Sequence, residues 1–235
     1  MNFTLLTVDG GLFLLRWLHF LFGITWIGLL YYFNFVQGPF FAETDASTKS
    51  GAIQKLVPRA LWWFRWGAMG TLLSGLLYFT GRIHQLGSLD VAMSTPWGVA
   101  IVSGMTLGIL MWFNVWFIIW PNQKIVIESA TQVAKGGQAL PNAAAAGARA
   151  GVASRHNVLF SFPMLFFMGA SSHLPIPVTP TSNVCTWFII FGVIVLALEA
   201  NAIKGKNGPL TSVKGVIHCS IALAAVLYVI LELAL

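Results

Sequence analysis

The stretch Arg16–Phe40, RWLHFLFGITWIGLLYYFNFVQGPF, decides the fold. It is an apolar run of membrane length that carries a cation and an imidazole one turn apart near its start. On a helix, Arg16, His19, Gly23 and Trp26 fall at i, i+3, i+7 and i+10, so they share one face. Glycine between a histidine and a tryptophan leaves a flat recess beside the imidazole. A planar cofactor such as haem suits that recess, with Arg16 placed to reach a carboxylate. An ionisable residue inside a spanning segment costs about 2.5–3.5 kcal/mol even on the gentler scales, so it points to function. The competing reading of His19 is a neutral ring hydrogen-bonded to a neighbouring helix.

The rest of the chain has the same character. Its 235 residues are 57% hydrophobic and 9% charged, with a mean hydropathy of +0.79. So few charges exclude a soluble domain and imply an all-α integral membrane protein whose first partner is the lipid bilayer. The first run is too long and too aromatic for a signal peptide, and no small-residue cleavage site follows it, so it is retained as a helix. The net charge of +6 is spread over several loops, which reads as membrane topology and excludes a nucleic-acid footprint. Cys185 and Cys219 form neither CxxC nor CxxCH, so neither zinc nor covalently attached haem is expected. Both read as small buried hydrophobes at different depths, without a disulfide.

Six apolar segments approach the ~20 residues that a bilayer needs, at about 12–37, 58–80, 97–120, 156–174, 184–203 and 213–234. The expected architecture is a single domain over 1–235, a bundle of about six transmembrane helices, with the fourth the shortest. Ten cations fall in the first, third and fifth loops: Lys49, Lys55, Arg59; Lys124, Lys135, Arg149, Arg155; and Lys204, Lys206, Lys214. The second loop has only Arg82 and the fourth has none. That bias puts the odd loops in the cytoplasm of a bacterial inner membrane and both termini on the periplasmic side. The third loop, about 121–154, is helix-compatible, with Asn142 as a candidate cap. Pro163 predicts a kink in the fourth helix, and Gly104 with Gly108 a close-packing surface on the third.

Topology also sorts the histidines. His19, His84 and His173 lie toward the outer face, His156 and His218 toward the inner one. A six-coordinate haem b needs two imidazoles on different elements facing one gap. His19 with His173 is the best pair, as axial ligands to the iron. His84 is a third candidate, in a loop, and Arg16 and Arg82 are placed to meet propionates. Gly23 and Trp26 complete the expected cofactor-binding set, while no residue stands out as catalytic. The inner pair could hold a second haem or be merely satisfied. Arg65 pairs with Glu199, stacks on the indoles around it, or snorkels to the interface.

These motifs add up to a family resemblance. RWLH and WIG in the first helix, WPNQK at 120–124, and SRHN with SSH across 154–173 resemble the membrane domain of bacterial cytochrome c-linked urate oxidases. The resemblance spans about 12–234. It implies a multi-helix membrane domain that oxidises urate and passes electrons to the respiratory chain, with Arg16, His19, Trp26, Asn122, Gln123, Lys124, Arg155, His156, Asn157 and His173 as positions of interest. Members of that family often continue into a C-terminal cytochrome c. This sequence has no CxxCH, so the expected partner is a separate cytochrome c or another membrane redox complex, in a hetero-oligomer. The leading expectation is a haem b redox protein moving electrons between a small substrate such as urate, or a quinone, and that cytochrome. The alternative is an accessory subunit of a larger respiratory or photosynthetic complex.

Overall fold

Each of the six apolar segments falls on a helix in the computed structural model, which describes residues 3–235; the last two fill theirs almost end to end, and the other four are parts of longer helices. Helix α1 runs Val8–Glu43, α2 Ala46–Lys55, α3 Val57–Leu86, α4 Leu89–Met93, α5 Pro96–Ala134, α6 Ala143–His173, α7 Val184–Lys204 and α8 Val213–Ala234. There is no strand among the described residues. Starts are set by local chemistry. The Thr7, Thr95 and Ser212 hydroxyls and the Asn183 amide oxygen each accept a backbone N–H of the first turn of α1, α5, α8 and α7. Asp45 caps α2 in the same way, and its hydrogen bonds from Thr48 hold the exposed carboxyl below the usual carboxylate range. Helix α3 ends at Gly87, whose φ of 97° favours glycine.

Both α1 and α5 widen into a π turn, at Tyr32–Gln37 and Asn114–Ile119. Each turn holds a buried asparagine, Asn34 or Asn114, and is followed by a proline, Pro39 or Pro121, at the start of the next α-helical stretch. Proline lacks the N–H that would bond the carbonyl four residues back, so the ladder is already interrupted there. The shift to i+5 bonding absorbs that interruption and turns the asparagine inward. Asn34 donates to Ser154 Oγ of α6 at 2.8 Å, and Asn114 donates to Asn157 Oδ1 of α6 at 3.0 Å.

Helix α6 is the hub. It packs against α1, α5, α7 and α8, while α1 lies along α3. Its buried positions run from Ala146 to Ala170, far beyond the short fourth segment expected from hydropathy. The first half, AAAAGARAGVAS, is poor in large apolar side chains because alanine and glycine let neighbouring backbones approach. Helix α6 continues through Pro163. Asn142 occupies the position before α6, but its side chain makes no capping bond, and only residues 135–142 separate α5 from α6. The third loop is thus mostly the extension of two helices.

At Gly104 a Cβ would lie 3.2 Å from the Met164 carbonyl oxygen and 3.2 Å from the Met168 nitrogen. The glycine surface of α5 therefore seats α6 backbone to backbone. Gly104→Val is expected to separate the two helices and cost about 1–3 kcal/mol, read as a lowered unfolding temperature in detergent.

Four helices, α1, α5, α7 and α8, are long and apolar enough to cross a membrane. Their outer faces fit that reading: Phe13, Trp17 and Ile24 on α1, Ile189, Val193 and Leu196 on α7, and Val226, Val229 and Leu233 on α8 are all exposed. Apolar surface on this scale needs lipid or protein around it. Helices α3 and α6 have 30 and 31 residues, but α3 carries Arg59, Arg65 and Arg82, and α6 carries Arg149, Arg155 and its alanine-rich half. Their composition alone does not make them spans, which leaves the six-span expectation unestablished. Cys185 and Cys219 are free, but Cys185 is exposed on α7, against the expectation of burial.

Candidate functional site

The face read from the sequence of α1 opens onto one large cavity. A volume of about 690 Å³ lies between α1, α3, α5 and α6, with walls that are mostly aliphatic, aromatic and methionine side chains. Arg16, His19, Gly23 and Trp26 line it from α1, and His173 lines it from the C-terminal end of α6. Five of the seven expected cofactor-binding residues therefore share a single space, including both expected axial ligands.

His19 is held in a defined way. Its Nδ1 lies 2.9 Å from the Thr71 carbonyl oxygen of α3. A carbonyl only accepts, so Nδ1 carries the proton and Nε2 carries the lone pair. The neutral, neighbour-bonded histidine of the simpler reading is thus present at Nδ1, and it sets up Nε2 as a ligand nitrogen. A Cβ at Gly75 would lie 2.8 Å from His19 Cε1 and 2.9 Å from Nδ1, but 4.0 Å from Nε2. The ring meets α3 with its Nδ1–Cε1 edge, and its Nε2 edge lies farther from that helix. Gly75→Val is expected to push the ring off Thr71 and weaken any ligand bound through Nε2 by about 10–100-fold, the usual cost of losing an outer-shell partner. A ligand titration followed by absorbance checks this.

Arg16 stands at the cavity rim. Its Nη2 donates to Ser172 Oγ at 3.1 Å, tying α1 to α6 beside His173, and its guanidinium lies 5.8 Å from the Tyr78 ring. At the opposite end Tyr31 lines the cavity, and its hydroxyl shares a 2.9 Å hydrogen bond with Ser161 of α6. Thr71, Gly75 and Ser161 are positions that carried no signal in the sequence. Only the fold brings them to the site.

Two expected residues are not there. Arg82 and His84 sit on the last turns of α3, a helix that continues where a loop was expected, and neither lines the cavity. The Arg82 Nη1 donates to Gln85 Oε1 at 2.6 Å, Gln85 donates to Asp9 Oδ1 at 2.8 Å, and the guanidinium faces the Trp97 ring at 5.7 Å. That network ties the end of α3 to the start of α1. His84 is exposed.

The inner pair does not form a second site either. His156 is fully buried with both ring nitrogens engaged: Nδ1 donates to the Val152 carbonyl at 2.9 Å and Nε2 accepts from Asn201 Nδ2 at 2.8 Å. His218 is exposed on α8. Arg65 does not meet Glu199. It lies 3.5 Å above the Trp120 ring and 5.5 Å from the Trp116 ring, so the stacking indoles come from α5.

Three observations bear on whether the cavity suits a planar prosthetic group. Gly28 and Gly169, both exposed, line the cavity, and a Cβ at either would meet nothing within 4 Å, so neither wall is closed by a neighbouring side chain. Trp26 Nε1 is buried without a partner, which leaves a donor available to a ligand. The nitrogen donors come from two different helices. By size, apolar lining and donors, the residues present fit haem b.

Comparison with characterised proteins and with solved structures returns no match. The family model described as urate oxidase N-terminal matches residues 83–231, more than half of the chain. The match takes in α5 to α8, with WPNQK, SRHN and SSH, while α1 lies before it. The chain belongs to the urate oxidase N-terminal family.

Proposed function

We propose that this protein is a haem b membrane redox protein, with His19 Nε2 and His173 as axial ligands between α1 and α6. The observation that carries the reading is the 2.9 Å contact of His19 Nδ1 with the Thr71 carbonyl, which fixes the imidazole in an apolar cavity shared with a second histidine. Haem, when bound there, supplies one-electron transfer. The protein residues orient and tune it. Thr71 and Gly75 hold the His19 ring, and with haem bound the guanidinium of Arg16 would meet a propionate and the apolar wall would keep water from the iron.

Family membership supports urate as the electron donor. A quinone is the other small partner that an apolar cavity of this size accommodates. The electrons then go to a separate cytochrome c or membrane redox complex, in a hetero-oligomer. In this reading α3 and α6 also cross the bilayer, shielded by their neighbours, which gives six spans. The cation-rich ends face the bacterial cytoplasm and both termini face the periplasm.

Two assays test the proposal. Purified protein is expected to show Soret and α bands, and membranes containing it to reduce added cytochrome c when given urate. Bands without urate-dependent reduction would keep the electron carrier and remove urate as donor. Absence of both bands would overturn the haem and leave an accessory subunit.

A further inference from the structure

The chain has seven carboxylates, all among the described residues; six are exposed and Glu199 alone is buried, at 5% exposure. It sits on α7 against an amide cluster. Asn114 Nδ2 of α5 donates to Glu199 Oε2 and to Asn157 Oδ1, both at 3.0 Å, and Asn157 Nδ2 donates to the Met111 carbonyl at 2.9 Å. Asn114 and Asn157 are fully buried. Two atoms of this cluster have no partner: Glu199 Oε1 and Asn114 Oδ1.

Those two atoms are the second atoms of groups that are already bonded through their first ones. With Glu199 ionised, both are acceptors and one negative charge sits in the protein interior on a single amide hydrogen bond. That arrangement leaves three unmet needs, two lone pairs and a charge. Turning the Asn114 amide over leaves the charge and creates new conflicts, because its oxygen would then face the oxygens of both Glu199 and Asn157. One hydrogen on Oε1, shared with Oδ1, would meet all three. An amide and a carboxylic acid have matching edges, N–H to one oxygen and O–H to the other.

We propose that Glu199 is a proton-binding site inside the membrane domain, with the proton on Oε1 donated to Asn114 Oδ1 in a closed acid–amide ring. Asn114 opens the π turn of α5, a local geometry that concentrates at functional positions. The ring does not line the cavity but is linked to its end through α6. Asn157 is one turn along α6 from Ser161, which holds Tyr31 at the cavity end, a rise of about 6 Å. Glu199 therefore holds an exchangeable proton in the same bundle as the space proposed for redox chemistry, and the inference stands whether or not that space holds haem.

The infrared spectrum of the detergent-solubilised protein at neutral pH tests this. A carboxylic acid C=O band is expected, shifted by ¹³C-glutamate labelling. It is retained when Glu43, Glu128 and Glu232 are all changed to glutamine, and lost in Glu199→Gln. Glu199→Gln is also expected to melt at the wild-type temperature, since its N–H replaces the O–H toward Asn114. Lack of the band in the wild type and in the triple variant would overturn the proposal. So would stabilisation of the wild type, but not of Glu199→Gln, by sodium chloride over choline chloride, which would make the two oxygens a sodium site.

Discussion

His19→Ala is expected to leave the purified protein almost without Soret absorbance while its helical circular dichroism persists. The ring contributes little to the fold beyond its bond to Thr71 and its contact with Gly75. Its removal takes away the better-oriented of two proposed iron ligands. Loss of an outer-shell partner weakens metal binding by about 10–100-fold, so loss of the ligand itself is expected to exceed 100-fold. His173→Ala is expected to be milder, because His173 is exposed at the end of α6 and water or an added imidazole can take its place. Rescue of the His173→Ala spectrum by imidazole, without rescue of Thr71-anchored binding in Gly75→Val, would separate ligand from positioning residue.

Asn157→Leu is expected to be the most destabilising single change in the bundle core, at about 2–4 kcal/mol, measured by unfolding in detergent. An interhelical hydrogen bond in a membrane protein is worth only about 0.6 kcal/mol on average. The cost here is larger because the partners stay behind. The Met111 carbonyl loses its side-chain donor, keeping only backbone bonding from Asn114 N–H, and one Asn114 amide N–H loses its acceptor, both in fully buried surroundings. Leu196→Ala on the exposed face of α7 is the control, with little effect expected.

Much of the site was legible because it lies on one helix. The spacing of Arg16, His19, Gly23 and Trp26 fixes a face by helical geometry alone, and that face does line the cavity. His173 joined it through an argument about membrane sides, and α6 delivers it there. Arg82 and His84 misled because the polar stretch after the third segment's predecessor looks like a loop, whereas α3 continues to Leu86 and turns both residues away from the cavity. The first half of α6 was missed for a different reason. Hydropathy rewards large side chains, and a hub helix needs small ones.

The polar core was half legible. Asn114 and Glu199 stand out in apolar segments as groups in need of partners, but side-chain pairing across three helices leaves no trace in a single sequence. Arg65 was the nearest obvious counter-charge for Glu199, and the α5 indoles took it instead. The family match has its own limit in physical terms, since it covers residues 83–231 and leaves the His19 face outside it. Hydrogen bonds join α1 to the matched helices, Arg16 to Ser172 and Tyr31 to Ser161 about the cavity and Asn34 to Ser154 as well.

The most direct measurement is near-infrared magnetic circular dichroism of the oxidised purified protein, which reports the pair of axial ligands on a haem iron. The account predicts a low-spin bis-imidazole signature that is lost in His19→Ala and altered in His173→Ala. A protein that binds no haem, or whose signature survives the double variant, would contradict it.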